Sequence, residues 1–344
     1  MKRLSPLLAA TAALLAIAPI AGRAWAGEKE IPRQTSFGGS CVKCDLSGRN
    51  LSNARIIGAN FSGAMFVGAV LRDAKFHASS FVGADLTKAD LSDAAMTGAN
   101  FTNANLSSAR LRSTEANGVV FASANLTRAD LSDSEATGAN FQKAILVNAV
   151  LKSATLRGVL FDQADLSHAQ LNDIDAQGAN FTRAKLSGAT LHSADLRGAT
   201  FSRVEAGGAD FSDADLTGAN LTGDFNRASF HSADMTAANL AGGDFDGADF
   251  RDADLSHATL NGADLSGARG LSQEQLDEAC TDPRTRLPKG LVSHGCLGGL
   301  HLTIHREHER DRDRERTRYA LPTPPAPPAP PAPPAPRYVI TTPR

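Results

Sequence analysis

The sequence predicts an all-β solenoid, in which a four-sided coil repeats along a rod built from five-residue units. Three observations predict it. A large apolar residue recurs every five residues from Leu46 to Leu265, alanine usually stands two positions before it, and phenylalanine recurs every twenty residues. Aromatic residues make up only 6% of the 344 residues, and the formal net charge is −2. This composition argues against two ordinary globular domains and against a strongly basic nucleic-acid-binding protein.

The N-terminus predicts export. Lys2 and Arg3 precede an apolar run over about 7–20, and Ala24-Trp25-Ala26 supplies a small-residue cleavage site. Together they are typical of a secretory signal peptide over residues 1–26. A membrane anchor is the alternative, but the run is short for a span of about 20 residues. We therefore expect a secreted or periplasmic protein with no integral membrane span after removal of the signal.

The repeat defines five positions. We call the large apolar residue the centre. Two corner residues follow it, then a small residue, then a middle residue that precedes the next centre. Centres fall every five residues over 46–221 and again over 225–265, which makes 45 units. A small and a large residue facing inward, with a polar residue between them facing outward, is the alternation of a strand. Such coils bury apolar surface only when they are stacked.

A longer period predicts the four sides. Gly recurs every twenty residues at one corner from Gly58 to Gly218, with Ala78 as an exception, and this corner is expected to need positive φ. Forty-five units then give about 11 coils and a rod about 50 Å long, at roughly 4.8 Å per coil. One residue is missing between Leu221 and Phe225, where we expect a local bend or bulge. Phenylalanine occupies the centres of one column: Phe61, Phe81, Phe101, Phe121, Phe141, Phe161, Phe181 and Phe201.

These residues resemble the pentapeptide-repeat family, whose pattern is A-(D/N)-L-X-X. Ala84-Asp85-Leu86 and Ala124-Asn125-Leu126 are examples, and the resemblance covers about 225 of the 344 residues. It implies a right-handed quadrilateral β-helix. The best-described activity of the family, mimicry of DNA to inhibit gyrase, belongs to cytoplasmic members. The fold by itself therefore implies no function for an exported chain.

Changes in composition predict the boundaries of the remaining segments. Ser272 and Gln275 form a capping box, which predicts a short helix from about 273 to 280 that covers the end of the stack. A charged segment and a Pro-Pro-Ala tract follow, and neither is expected to form a core. The predicted segments are a signal peptide 1–26, a lead-in 27–40, the repeat β-helix 41–270, a C-terminal cap 271–300, a charged polyampholyte segment 301–320 and a Pro-rich disordered tail 321–344.

The four cysteines are predicted to form structural disulfides, because an exported protein meets an oxidising compartment. Cys41 and Cys44 stand at the start of the rod, and Cys280 and Cys296 follow its far end. Pairing between the two ends is excluded by the length of the rod. Cys41-x-x-Cys44 also has the spacing of a redox motif, but no βαβ pattern surrounds it.

No catalytic grouping and no cofactor site is predicted. The sequence contains no Gly-rich phosphate loop and no nucleophile motif, so we expect a protein that is not an enzyme. His301, His305 and His308, with His294 and Cys296 nearby, have spacings that permit metal ligation. A solvated polar segment is the alternative there, and we assign no metal site. The repeats place five histidines at outward positions: His77, His168, His192, His231 and His257.

Charge is distributed unevenly along the rod. Residues 45–200 hold 14 acidic and 14 basic residues, whereas residues 201–270 hold 12 acidic and 4 basic ones. This acidic part favours either charge mimicry against a basic target or the ordinary use of aspartate by the repeat. Calcium binding by the same carboxylates is a further alternative. Aspartate occupies eight middle positions of the acidic part: Asp210, Asp215, Asp224, Asp234, Asp244, Asp249, Asp254 and Asp264.

The predicted function is an exported, non-catalytic rod that acts as a protein-binding or structural spacer module. The alternative is an inhibitor or regulator that acts by acidic charge mimicry through the C-terminal coils. Ile145, Val147 and Val150 lie at outward positions of one coil, and Val120 and Leu160 lie at outward positions nearby. Such a cluster indicates a protein contact, with an unknown partner or by self-association. No nucleic-acid partner is expected.

Overall fold

The computed structural model describes residues 39–293 and residue 295. Backbone pairing there consists of single-residue parallel β-bridges, beginning with Ser40 and Asn60. From Ser40 to Arg269, each bridge joins the middle residue of one unit to the middle residue of a unit one coil later. The partners are twenty residues apart over most of this length, so four units form one coil, as the twenty-residue period predicts.

The buried centres form four columns, one on each side of the coil. Centres and small residues are almost all buried, whereas middle and corner residues are mostly exposed or half-buried. Each column is numbered by its face: face 1 contains Phe61 and Phe81, face 2 Phe66 and Leu86, face 3 Leu71 and Leu91, and face 4 Phe76 and Met96.

The phenylalanines of face 1 stack inside the rod. From Phe61 to Phe201, successive ring centroids are 4.7 to 5.3 Å apart and the interplanar angles are at most 24°. Each ring from Phe81 to Phe181 therefore packs face to face on the rings of the coils before and after it. Burial of one such side chain stabilises the fold by about 1.5–3 kcal/mol, and ring contacts add to this.

Most backbone amides of a unit bond to neighbouring coils. In unit 60–64, the amides of Phe61 and Gly63 donate to carbonyls of the following coil at 2.7 and 2.9 Å, and the amide of Asn60 donates to the preceding coil at 3.0 Å. The amide of Ala64 closes a β-turn onto the carbonyl of Phe61 at 3.0 Å. Four of the five amides are thus satisfied by backbone carbonyls.

The fifth amide, at the first corner residue, is satisfied by a side chain. Oδ1 of Asn60 accepts a hydrogen bond from the amide of Ser62 at 3.0 Å. The same contact joins Asp85 to Thr87 at 2.9 Å. An Asx side chain that bonds the backbone two residues later is a known turn motif. It explains why the middle position of the repeat is so often Asp or Asn.

The second corner residue has positive φ. Along the predicted glycine column φ lies between 61° and 68°, and Ala78 has φ 53°, as the column predicts. The same conformation occurs at the other corners in residues with larger side chains, such as Lys88 and Arg128 with φ of 57° and 58°. Positive φ at the third residue is the geometry that a type II turn requires.

The residue missing between Leu221 and Phe225 shortens one coil to nineteen residues. Pairing partners are nineteen residues apart in four successive bridges, from Glu205–Asp224 to Asn220–Asn239. They are twenty apart again from the bridge of Asp224 with Asp244 onward. The missing residue therefore removes one residue position at a single corner. The regular stack continues after this coil.

Two glycines accommodate this shortened coil. A Cβ on Gly223 would lie 2.6 Å from Cγ1 and 2.7 Å from the nitrogen of Val204. A Cβ on Gly243 would lie 2.6 Å from Cε2 of Phe245 and 2.8 Å from the carbonyl oxygen of Leu221. Beyond this coil the phenylalanines leave face 1 and stack in two other columns, Phe211-Phe230-Phe250 on face 3 and Phe225-Phe245 on face 2.

A short helix, α1 (Gln273–Glu278), follows the last unit. The hydroxyl of Ser272 accepts from the amide of Gln275, and the side chain of Gln275 accepts from the amide of Ser272, so the predicted capping box is present. The helix ends at Glu278 rather than near 280, because Ala279 is already extended and the next residue forms a parallel bridge.

Helix α1 is attached to the last coils by buried and polar contacts. Leu276 is fully buried in the core. Nε2 of Gln275 donates to the carbonyls of Phe250 and Ala253 at 2.9 and 2.7 Å. Parallel bridges then join Thr259 to Cys280, Asp264 to Arg286 and Thr281 to Gly295.

Candidate functional surfaces

In the acidic part of the rod, residues 201–270, the aspartate side chains hydrogen-bond to the backbone. All eight middle-position aspartates named above accept a hydrogen bond on Oδ1 from the amide two residues later, at 2.8 to 3.2 Å. Asp210, for example, accepts from the amide of Ser212 at 3.0 Å. The turn thus explains the abundance of aspartate as an Oδ1 acceptor. Asparagine would provide the same acceptor, so the turn does not require the negative charge of these residues.

Bridged aspartates also form a continuous column along the rod. The aspartate ladder consists of Asp175, Asp195, Asp215, Asp234 and Asp254, each bridged to the next. Two arginines neutralise its first part. Arg157 pairs with Asp175 at 2.5 Å, and Arg197 contacts Asp195 at 2.6 Å and Asp215 at 3.4 Å.

Hydrogen bonds hold several of these carboxyl groups in their charged form. Hydrogen bonds from the side chain of Arg197 lower the pKa of Asp195 against the opposing effect of burial. Hydrogen bonds from Ser256 lower the pKa of Asp254 in the same way. The carboxylates of Asp195 and Asp254 are therefore anionic at neutral pH, and the aspartate ladder carries negative charge at these two positions.

Across residues 39–293 and 295, no group of three or more His, Cys, Asp or Glu is placed to hold a metal ion. The histidines of the repeats lie at exposed or half-buried positions, as their outward register predicts. The predicted alternative ligands His294, Cys296, His301, His305 and His308 lie outside the described residues.

Cys41 and Cys44 form a disulfide with a Cα–Cα distance of 5.4 Å. They are the centre and the small residue at the start of the stack, and both are half-buried. The amide of Cys44 also closes the turn onto the carbonyl of Cys41 at 3.2 Å, so the disulfide joins the two ends of one β-turn. Cys280 is also disulfide-bonded, and Cys296 lies outside the described residues.

The predicted apolar contact residues divide between two places. Ile145 lies on face 2 and Val150 on face 3, with Val147 on the corner between them. Ile145 is 44% exposed, and the two valines are half-buried. Val120 and Leu160 lie on face 1, two coils apart, with a polar middle residue between them, so they are not part of the same cluster.

Sequence reasoning missed a second apolar cluster at the start of the rod. Met65 and Val67 are 42% and 38% exposed, and Val70 is half-buried. They occupy a middle, a corner and a middle position, where the repeat usually has polar residues. That departure from the repeat was the available signal.

The segments at either end bear on localisation. In the part of the chain that the structure describes, no helix is long and apolar enough to cross a membrane. The predicted signal peptide 1–26, most of the lead-in 27–40, and the segments 301–320 and 321–344 lie outside the described residues.

Comparison with known families gives one extensive match. A family profile described as "Pentapeptide repeats" matches overlapping segments that together run over 40–269. The matched segments are 40–77, 66–103, 79–115, 104–142, 124–167, 144–183, 164–203, 184–223, 207–252 and 233–269. No curated protein matches the chain.

Several solved structures match parts of this chain. HetL from the cyanobacterium Nostoc sp. strain PCC 7120, involved in regulation of heterocyst differentiation, is 31% identical over 61% of this chain and 89% of its own, with a TM-score of 0.28. A pentapeptide-repeat protein of the Arabidopsis thaliana thylakoid lumen is 33% identical over 32% and 67%, with a TM-score of 0.18. QnrB1, a plasmid-mediated fluoroquinolone resistance protein, is 17% identical over 83% and 100%, with a TM-score of 0.21.

Proposed function

This chain belongs to the pentapeptide-repeat family, and we propose that it is an exported, non-catalytic rod that acts as a protein-binding or structural spacer module. In this proposal the rod is a right-handed quadrilateral β-helix of about 11 coils, closed at its C-terminal end by α1 and the residues that follow it. A signal peptide over residues 1–26 directs it to the periplasm or the exterior.

The observation that carries the proposal is how the repeat uses its polar groups. Middle-position side chains bond corner amides, the amides of small residues close turns within their own unit, and the remaining amides bond adjacent coils. These polar residues are therefore engaged in holding the stack together. What the rod offers a partner is a long, rigid surface whose outward residues vary from coil to coil.

Export is tested by expressing the chain with its native N-terminus and analysing the mature product. We expect the product in the periplasmic or secreted fraction, with Gly27 as its first residue. A cytoplasmic product that retains residues 1–26 would refute export. The rod function is tested separately, by affinity capture from envelope extracts with the mature chain and with a version that ends at Leu300. Specific capture by both supports a partner-binding rod, and turnover of a substrate would contradict it.

A second candidate function, charge mimicry, is favoured by the aspartate ladder and the 12 acidic against 4 basic residues of 201–270. Its target would be an exported basic protein. The variant that isolates the effect of charge replaces Asp234, Asp244 and Asp254 by Asn. Asn keeps the Oδ1 acceptor for the corner amide and removes only the negative charge. Charge mimicry predicts that this variant loses binding to a basic partner and that wild-type binding falls steeply with salt. A spacer shows neither effect.

A further inference from the structure

Face 1 differs from the other three faces in charge. From Ser40 to Thr259, none of its middle residues is Asp, Glu, Lys or Arg, whereas each of the other faces has at least six charged middle residues. The turn does not impose this difference, because Asp85 on face 2 and Asn100 on face 1 supply the same Oδ1 acceptor. An uncharged side that runs along the stack therefore indicates contact with an uncharged ligand.

Asparagine recurs on every second coil of face 1 from Asn60 to Asn220. Oδ1 of Asn100, Asn140 and Asn180 accepts the corner amide two residues later at 2.9 Å, which leaves Nδ2 as a hydrogen-bond donor. Among the described residues, Nδ2 of Asn100 and of Asn180 donates to no other group. Nδ2 of Asn140 makes one long contact, 3.4 Å from Oε1 of Gln142. The face thus presents spaced donors, which aspartate cannot provide. The series is Asn60, Asn100, Asn140, Asn180 and Asn220.

Apolar side chains stand between the central donors of this series. Val120 is bridged to Asn100 and Asn140, and Leu160 is bridged to Asn140 and Asn180. Val120 is half-buried and Leu160 is 36% exposed. Donors and apolar groups therefore alternate from coil to coil, and successive donors are roughly 9.6 Å apart. A ligand that fits this face has no charge, offers acceptors at this interval and carries apolar groups between them.

The sequence of this chain contains a segment with these properties. Residues 324–336 repeat Pro-Pro-Ala without a charged residue. Such a tract favours polyproline II, which has three residues per turn and rises about 3.1 Å per residue, so that one turn spans about 9.3 Å. Proline has no N–H, so the tract offers mainly carbonyl acceptors and apolar rings.

The length of the tract also matches the face. The 13 residues of 324–336 extend over about 40 Å as polyproline II. Eight coil steps separate Asn60 from Asn220, which is about 38 Å. One tract can therefore run along the whole asparagine series, with one turn for each donor.

We propose that face 1 binds a polyproline-II segment, and that its occupant is the Pro-Pro-Ala tract of a second copy of this chain. One carbonyl per turn accepts from an asparagine Nδ2, and proline rings pack on Val120 and Leu160. A segment that is already extended loses little conformational entropy on binding. Each copy supplies one face and one tract, so the contact is heterologous and can join more than two copies. This goes beyond the function proposed above, because it holds whether or not the rod binds another protein.

Fluorescence anisotropy of a labelled peptide with the sequence of residues 324–336, titrated with the full chain up to about 1 mM, tests the ligand. The peptide is expected to bind saturably. Asn100→Asp combined with Asn140→Asp removes two donors and keeps both Oδ1 acceptors, so it should weaken binding at least about tenfold. A peptide of equal length with Gly-Ser in place of Pro-Pro is uncharged but flexible, and it should not bind.

The matched control makes the same change on face 2. Oδ1 of Asn105 and Asn125 also accepts corner amides, at 3.1 and 3.0 Å. Asn105→Asp combined with Asn125→Asp therefore alters charge and donors equally, and it should leave peptide binding unchanged. Circular dichroism checks that both double variants are folded.

Sedimentation equilibrium of the full chain over the same concentrations tests the second copy as the source of the tract. The mean mass should rise with concentration, and the free peptide and the face 1 double variant should each lower it. A chain that stays monomeric, or association that the peptide does not reduce, would overturn the proposal. So would equal peptide binding by the two double variants, equal binding of the Gly-Ser peptide, or binding of a neutral oligosaccharide in place of the Pro-Pro-Ala peptide.

Discussion

At the scale of single residues, the middle-position Asp or Asn belongs to the backbone hydrogen-bond system. Oδ1 of Asp210 accepts from the amide of Ser212 at 3.0 Å and from its hydroxyl at 2.6 Å. Asp210→Ala removes the acceptor and is expected to destabilise the protein by about 1 kcal/mol. Asp210→Asn keeps the acceptor and should cost less than about 0.5 kcal/mol. Urea unfolding midpoints measure both, and an equal loss for the two variants would contradict this role.

The phenylalanines of face 1 are expected to be the most costly side chains to truncate. Phe141 is fully buried, and its ring lies 4.8 Å from that of Phe121 and 5.1 Å from that of Phe161. Phe141→Ala should destabilise the protein by about 3–5 kcal/mol, since it opens a cavity in a continuous stack. Thr137→Ala, at an exposed corner, should cost under about 0.5 kcal/mol. A neutral Phe141→Ala would be incompatible with the stacked column.

At the scale of single residues, the sequence predicts whether a side chain points inward or outward but not its hydrogen-bond partner. Periodicity identifies Ser134 as an inward residue beside a centre that is only Ala136. The structure shows that the hydroxyl of Ser134 is buried and donates to the carbonyl of Leu131 at 2.7 Å. This satisfies the polar group, and nothing in the structure explains why two small residues share this site.

At the scale of an element, the nineteen-residue coil depends on Gly223 for space rather than for its backbone angle. Gly223→Ala would bring a Cβ within 2.8 Å of three atoms of Val204, so the coil must shift. Gly198→Ala is the control, because it has positive φ and open space around it, and Ala78 already adopts that conformation. We expect Gly198→Ala to cost about 1 kcal/mol and Gly223→Ala clearly more. Thermal unfolding compares them, and the reverse order would refute the crowding argument.

Helix α1 shows which helix boundary local sequence signals predict and which they do not. The capping box at Ser272 and Gln275 is a contact between residues three apart, so the sequence predicts the start of the helix correctly. Its end at Glu278 is decided by the parallel bridge between Cys280 and Thr259, a partner twenty-one residues away. No local pattern carries that information.

At the scale of the whole molecule, the fold is predictable from the repeat because every unit places its small and large apolar residues in the same inward positions. The candidate surface was harder to predict. Ile145, Val147 and Val150 stood out as a departure within one coil, but their equivalence to Met65, Val67 and Val70 becomes visible only when both are placed on one corner. Val120 and Leu160 share the outward register on nearby coils, which predicts that they belong to the same cluster, whereas the bridges place these two on another face.

Cysteine pairing gives a test of the whole architecture. Cys41 is bonded to Cys44, and we expect Cys280 to pair with Cys296 because these two cysteines follow the far end of the stack. Peptide mapping without reduction should recover a fragment that links 280 to 296. A fragment that links either of the first two cysteines to the last two would contradict both the pairing and the rod.

The response to acid follows from the aspartates whose pKa is lowered in the folded protein. The pKa of Asp249 is lowered, chiefly by hydrogen bonds from the side chain of Arg251, and that of Asp254 by hydrogen bonds from Ser256. Burial opposes the shift at Asp282, but hydrogen bonds from Arg284, Gly262 and Thr285 still lower its pKa to about 2.

A carboxyl group whose folded pKa lies below its unfolded value of about 3.9 contributes stability above that value and loses it as the pH falls through the folded pKa. The Tm should therefore be nearly constant from about pH 7 to 5 and fall progressively from about pH 4 to 2. Asp254→Asn cannot titrate and keeps the amide acceptor, so its Tm should fall less over the same interval. Calorimetry of the two proteins across this range makes the comparison, and a wild-type Tm that rises on acidification would show that relief of repulsion among the aspartates outweighs the loss of their hydrogen bonds.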